Sequence, residues 1–591
     1  MKSIKSIALL LFVALGFTAC SDSFLDKNPD ERILIDNETK VVKLLTSAYP
    51  TGNYQWIGEL LSDNIIDNTA PHMPSKANLK QIESHYNFPM RDSWDEQLFK
   101  FEPASKATYN DWDSPGTLWS SYYNSIATVN HALQAIDQIA EKNKAIKATG
   151  ADPNTGLTPT LRAAKAEAQI LRAYCHFMLA NIFTQGYLDA SSNAQNVGVP
   201  YVTEVEDVVL KDYDRETVEK TYSKIQKDLE EALPNINDQL YTKPKWHFNL
   251  NAAHAFAARF YLYTRQWQKV VAHANAVLGV DPADSKRYTL NYSSFTKELS
   301  SLSDFAKVWQ SPNEANNLML LSTYSILSRR VFGYRFSCAG PAARDAFLYR
   351  SGNPLWSGYY IPAFSAASFN VASASSQDYG ITTSKIGEEF EYSDKIAGIG
   401  YPHQILRPFT GNILLLERAE AKLMLGDYDG CAADLAAYWN NGIDSFDDEQ
   451  KKNYVETNYL RRFTPEVLTS YYKGAMKDND NLFDNWDFTS TNVSSDYVIP
   501  AEAVPYMNCI NEFRRYETVL EGFRFFDNKR WGMVIKHVVG PSKQVYTLEG
   551  KDPRRAIEVP WESLSAGMVS SLKTTPSNNI VEQDNNSLIV K

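Results

Sequence analysis

Two stretches of this chain carry the same helix-pair spacing, and that repetition limits the fold more than any other feature. Ala258, Trp267, Val270, Ala274 and Val277 precede Pro282, and Ala419, Tyr428, Cys431, Leu435 and Tyr438 repeat their spacing further on. A small residue at the crossing lets two helices approach closely, and an aromatic at the turn fills the gap beside it. Cys431 falls on an apolar position of the second copy and reads as core. The copies lie too far apart for a regular solenoid.

Other segments carry the helical period singly. Val218, Tyr222, Ile225, Leu229 and Leu233 form one apolar stripe that ends before Pro234. Thr158-Pro159 reads as an N-cap and first-turn proline for a helix from about Leu161 to Phe183, stopped by Gly186. Trp119 to Ile139 and Val41 to Leu61 are two further amphipathic stretches. Residues 283–410 differ in texture, being rich in Ser, Gly, Tyr, Phe and Pro. They read as loops with some short strands or helices, packed on the helical body because so long a structureless loop is implausible in a compact domain.

Composition narrows the class. With 44% hydrophobic and 22% charged residues, the 591-residue chain has the makings of a globular protein, not a disordered one. Its net charge of −11 argues against a nucleic-acid partner, since phosphate binding needs a basic surface. Only 27 glycines fits a mostly helical body, whereas 34 Tyr and 12 Trp exceed what helix pairs need. Surplus rings of this kind line binding surfaces.

The N-terminus has the layout of a signal peptide. Lys2 and Lys5 precede the apolar run Ile7–Phe17, which is too short to cross a bilayer, and Phe17-Thr18-Ala19-Cys20 follows. A Cys directly after small residues resembles a bacterial lipoprotein signal, with Cys20 diacylated as the mature N-terminus. Loss of both lysines takes the mature charge to −11 − 2 = −13. Residues 1–19 are then a signal peptide and 20–37 a lipidated tether, leaving a soluble domain held at a membrane surface. The acidic Ser21-Asp22 and Asp26 resemble the start of lipoproteins sent to the outer face of the outer membrane. Cys175, Cys338, Cys431 and Cys509 are scattered, with no C-x-x-C spacing and no His cluster, so zinc is not indicated. A disulfide is permitted but not indicated.

Catalytic signatures are missing. The sequence holds no H-E-x-x-H, G-x-S-x-G, P-loop or dinucleotide glycine fingerprint. Asp478, Asp480 and Asp484 lie close together, but Leu482 and the missing glycine depart from an EF-hand loop, so a solvated turn is the reading. No metal and no cofactor is expected, and an enzymatic reading has little to rest on.

At this point the motifs resemble the SusD/RagB family of nutrient-uptake lipoproteins. Cys20 followed by Phe24-Leu25-Asp26 and Pro29 is similar to the mature start of that family. Trp119, Tyr122-Tyr123, Ile126 and Asn130 resemble its first long helix, and Glu167-Ala168 with Leu171-Arg172-Ala173-Tyr174 its E-A-x-x-L-R-A-Y/F helix. Arg418-Ala419-Glu420-Ala421 resembles a later helix. Glu521-Gly522-Phe523-Arg524-Phe525-Phe526-Asp527 through Arg530-Trp531-Gly532 is close to the E-G-x-R-W-F-D-L-x-R-W-G signature, with Asn528 in place of Leu. Ser565-Ala566-Gly567-Met568 departs from the N-P-G-Y of its C-terminal pattern.

The resemblance implies a mostly α fold, a SusD-like α-α superhelix of tetratricopeptide-like helix pairs with an irregular loop-rich insertion. On that expectation residues 38–591 are a single SusD-like domain. Its helix-pair scaffold is 38–282 and 411–445, its ligand-facing insertion 283–410, and its C-terminal part 446–591. The implied role is binding, not catalysis: a glycan or oligosaccharide is captured at the cell surface and passed to a SusC-like TonB-dependent outer-membrane transporter. A RagB-like peptide binder and a surface glycosidase are the alternatives. Arg524 and Trp531 read as structural.

Sugars present apolar C–H faces and a ring of hydroxyls, so a site needs flat aromatics beside amide, carboxylate or Arg groups. Tyr109, Asn110 and Trp112 supply that mixture just before the Trp119 helix; in relatives a Trp and an Asn at this place contact ligand. Arg350, Asn353, Trp356 and Tyr359 form a second cluster inside the insertion. Tyr324 and Trp94 are weaker candidates, while Trp119, Trp267 and Trp531 lie on helical patterns and go to the core.

Overall fold

The computed structural model describes residues 34–70, 89–104, 111–206, 213–292, 302–331, 334–338, 370–371, 381–382, 384–442, 465–472, 488, 497–542 and 544–572. Helix α1 (Glu38–Thr46) opens on Asn37, whose side chain accepts from the Lys40 N–H, and α2 (Gln55–Leu60) follows. The single amphipathic stretch expected over Val41–Leu61 is therefore two helices. Pro50 cannot donate to a helical ladder, and the Thr51 and Gly52 N–H groups turn instead to Ser121 Oγ, at 2.9 and 2.8 Å. A short helix, α3 (Ser93–Phe99), begins with a capping box between Asp92 and Asp95.

Two long helices form the first large pair. In α4 (Pro115–Ile146) Ser114 caps and Pro115 starts the first turn, and in α5 (Pro159–Phe183) Thr158 and Pro159 do the same. The expected stripe from Val218 is α6 (Val218–Ala232), capped by Thr217. The repeated spacing of the sequence is two helix pairs, α7 (Leu250–Tyr263) with α8 (Trp267–Leu278), and α9 (Gly411–Met424) with α10 (Tyr428–Gly442). Ala258 and Ala419 are buried at the crossings and Cys431 is buried as expected. Further along, α11 (Val504–Thr518) and α12 (Phe523–Trp531) pack back onto the body.

Buried arginines tie these layers together. Arg172 of α5 makes two bonds to Asp228 of α6, 2.7 and 2.8 Å, and a third to Asn130 of α4 at 3.0 Å. Arg418 of α9 grips Asp434 of α10 in the same forked way, at 2.9 and 2.7 Å. Arg259 of α7 reaches Glu417 of α9 at 2.8 Å, and Arg514 of α11 reaches Asp527 of α12 at 2.8 Å. A planar guanidinium suits such paired contacts, and removing one partner would leave a buried charge unpaired.

The described part of 283–410 contributes a three-stranded antiparallel sheet, β1 (Asn317–Tyr324), β2 (Glu388–Asp394) and β3 (Ile399–Thr410), with β3 in the middle. Thr410 ends β3 and caps α9, so the sheet is welded to the second helix pair. A hairpin of β4 (Ile535–Val539) and β5 (Gln544–Leu548) follows α12. One hydrophobic core runs from α1 to the C-terminal hairpin. Among the described residues no helix is long and apolar enough to cross a membrane.

Candidate functional site

Where the start of α4 meets the outer end of the sheet, three rings touch one another. Trp112 lies 5.5 Å from Tyr324 and 6.0 Å from Tyr401, and the two tyrosines lie 5.5 Å apart. Trp112 comes from the turn before α4, Tyr324 from the end of β1 and Tyr401 from the start of β3. Tyr401 is 43% exposed, and Trp112 and Tyr324 are half-buried. The rings are inclined to one another by 51 to 75°, so they offer several faces, not one flat plane.

Strand alternation decides what accompanies them. Tyr324 pairs with His403, which pairs on its other side with Glu389; Tyr401 pairs with Glu391. Because successive residues alternate sides, Tyr324, Tyr401, His403, Glu389 and Glu391 share one face of the sheet. His403 Nε2 lies 3.6 Å from Glu389 Oε2, and its Nδ1 has no hydrogen-bond partner among the described residues. The site is thus a ring cluster flanked by a row of hydrogen-bonding groups, the arrangement that a polyhydroxylated ligand with apolar faces requires.

Beneath the rings lies a buried ionic knot. Arg330, in the short helix Leu327–Arg330, donates to the Trp112 carbonyl oxygen at 2.7 Å and to Asp92 at 2.7 Å. The same guanidinium lies 3.4 Å from Asp95 and 3.3 Å from Asp113, and stacks 4.8 Å over Trp94. Burial pushes the Asp95 carboxyl up to about 6 and also raises that of Asp113, while Arg330 pulls both down. Asp113 has a left-handed backbone, φ 66°, and its carboxylate accepts from the Ile326 N–H at 3.1 Å. A strained residue held between two elements fixes the turn that displays Trp112.

Of the residues expected from sequence, Trp112 and Tyr324 are brought together. Trp94 is corrected: it is 1% exposed, and its indole N–H donates to Asp111 at 3.2 Å, so it packs the floor of the site and cannot meet a ligand. Trp119 and Trp531 are buried as expected, and Trp267 packs half-buried against the core. Arg524 is buried against Asp63 and supports the structural reading of its motif. Tyr109, Asn110, Arg350, Asn353, Trp356 and Tyr359 lie outside the described residues, as do Cys20 and the Asp478–Asp484 cluster. Sequence reasoning missed Tyr401, His403 and Arg330. The alternation of Tyr401, His403 and Ile405 with Pro402, Gln404 and Leu406 was the available signal for the first two. Among the described residues no group of three or more His, Cys, Asp or Glu could hold a metal ion. The four cysteines described are free and buried.

The fold defines a class of protein, a helix-pair body with a small sheet inserted between the pairs and joined to the second of them. Comparison shows what the chain is similar to. The SusD-like family described as "Starch-binding associating with outer membrane" matches residues 23–262. A SusD superfamily protein of Bacteroides thetaiotaomicron covers 91% of this chain and 100% of its own, with TM-score 0.54 and 17% identity. One from Bacteroides fragilis covers 90% and 97%, with TM-score 0.54 and 15% identity. A structure titled a putative sugar binding protein, from Bacteroides vulgatus, also covers 90% and 97%, with TM-score 0.53 and 15% identity. Comparison with curated proteins returns no match. Residues 23–262 are similar in sequence to that family, and the fold is similar to these structures over about nine-tenths of the chain.

Proposed function

We propose that this chain is a cell-surface binding protein that captures a glycan on the Trp112, Tyr324 and Tyr401 cluster. The observation that carries the reading is the convergence of three partly exposed rings from separate segments, held by a buried ion-pair knot. Rings so placed are exposed at a cost to solvation, and stacking on C–H faces of a sugar returns that burial. The starch-binding description of the similar family supports the substrate class, as does the likeness to the sugar binding protein of Bacteroides vulgatus. Tyr109, Asn110, Arg350, Asn353, Trp356 and Tyr359 are proposed to contact the same ligand.

The finer reading adds place and partner. Cys20 carries the lipid anchor, residues 38–591 form one SusD-like domain outside the outer membrane, and bound oligosaccharide passes to a SusC-like TonB-dependent transporter. The family's association with the outer membrane supports this location. The role is binding without catalysis, so bound glycan leaves intact.

The test uses the chain from residue 21 onward in affinity electrophoresis and calorimetry with amylopectin, laminarin, xyloglucan and dextran. Retardation by at least one polymer, lost tenfold or more in Trp112→Ala, supports the reading. Equal affinity in that variant removes the site, and release of reducing ends would move the protein to the glycosidases. Binding of peptides with no glycan binding would favour the RagB-like alternative.

A further inference from the structure

The ring cluster has an acidic border, and we infer that Glu389 and Glu391 restrict the site to uncharged glycans by repelling carboxylated or sulfated ones. The inference rests on the proposed glycan site and assigns its substrate class. Both carboxylates stand on the face of the sheet that carries Tyr324 and Tyr401, one directly opposite His403 and the other directly opposite Tyr401. That face also carries Ser322, Ile399, Ile405 and, beside Ile399, Asp394; Arg407 follows Ile405 on it by alternation but is buried and paired with Glu521.

Arg329, next to Arg330 in the chain, is already engaged. Glu388 points to the other side, where Ser328 and Arg329 bind it, so Arg329 does not neutralise the ring-bearing face. Arg330 is buried under Trp112 and satisfied by Asp92, Asp95 and Asp113. Glu389, whose side chain is 64% exposed, offers acceptor oxygens. A carboxylate accepts from the hydroxyls of a neutral sugar, a pairing that the acceptor-only carboxylate or sulfate group of a charged sugar cannot make. An anionic chain laid on the rings instead brings like charges together with Glu389 and Glu391.

Matched polymers isolate charge from shape. Amylopectin and dextran, each in native, hydroxyethyl and carboxymethyl form, are titrated against wild type, Glu389→Gln/Glu391→Gln and Trp112→Ala. Wild type is expected to bind a native polymer and its hydroxyethyl derivative with affinities within threefold, and the carboxymethyl form at least tenfold more weakly. The gap should shrink as salt rises from 20 to 500 mM, because screening weakens repulsion between exposed charges. In the double Gln variant the carboxymethyl form should come within threefold of the hydroxyethyl form.

Equal or tighter binding of the carboxymethyl polymer by wild type overturns the inference, and so does an unchanged gap in the double variant. Either result leaves the glycan site standing if Trp112→Ala still loses the native polymer. If wild type holds no polymer, or Trp112→Ala holds it unchanged, the site reading fails and this inference falls with it.

Discussion

The guanidinium of Arg330 donates to the main-chain carbonyl of Trp112 at 2.7 Å, so a fully buried cation fixes the backbone that carries a partly exposed ring. Around that cation stand Asp92, Asp95 and Asp113, drawn from α3 and its cap and from the turn before α4. Display of the ring and stability of this corner therefore share one residue.

Arg330→Ala should lower stability by about 3–5 kcal/mol, since it leaves buried carboxylates without their cation. Arg330→Lys keeps a charge but cannot reach Asp92, Asp113 and the Trp112 carbonyl together, because an ammonium lacks the planar fork. Its melting temperature should fall less than that of the alanine variant, while its glycan affinity falls tenfold or more. Thermal unfolding and calorimetric titration check this. A lysine variant with wild-type affinity would show that Trp112 is placed by other contacts.

Tyr401 and Trp94 give opposite expectations although they border the same site. Tyr401→Ala removes a 43% exposed ring and should change stability by no more than about 0.5 kcal/mol. Its glycan affinity should drop by roughly 1–2 kcal/mol, near ten- to thirtyfold. Trp94→Ala empties a buried place and should cost about 3–5 kcal/mol of stability. Urea unfolding of both variants beside wild type, paired with titrations, separates the ring that meets ligand from the ring that supports it.

The glycine of the Glu521-Gly522 motif has a packing explanation that can be tested at its neighbour. Gly522 adopts φ 79° and its N–H donates to Glu59 at 2.9 Å, pressing its carbonyl against α2. A Cβ at Gly58 would sit 2.0 Å from the Gly522 oxygen, and one at Gly522 would sit 2.6 Å from the Gln55 Cα. Backbone, not a flexible side chain, blocks both. Gly58→Ala should therefore destabilise by about 2 kcal/mol or more, despite the helix preference that favours Ala by about 1. A melting temperature at or above wild type would contradict the close approach.

How far the sequence revealed all this depended on range. Thr158-Pro159 and the Val218 stripe located their helices because caps and periodicity are local, and Ala258 and Ala419 located both repeated pairs. The sheet was harder. Gly400 and Pro402 interrupt the alternation of β3, and both residues ordinarily weaken a strand, so Tyr401 and His403 read as loop. Arg330 had no signal at all, since its partners Asp92, Asp95 and Asp113 are far away in the chain. Trp94 failed for a related reason: nothing near it in sequence shows that Arg330 will cover it.

Glu59 should give the protein a pH dependence of known sign. Its carboxyl is buried, which pushes it from 4.5 up to about 7, against the bonds it accepts from Asn64 and Gly522. A raised value means that the folded state holds this proton more tightly than the unfolded chain does. The stabilisation is complete below about pH 4.5 and is lost as pH rises through about 7. The neighbouring Asp63, held low by Arg524 and Arg515, changes only in more acid solution and does not enter this window. Glu59→Gln keeps an acceptor for the Gly522 N–H and carries no titrating proton. Wild-type stability measured against this variant by urea unfolding should decline by about 3 kcal/mol between pH 5 and pH 8. A constant difference across that range would mean that Glu59 is ionised in the folded protein throughout, and that the contact between α2 and Gly522 holds a charge.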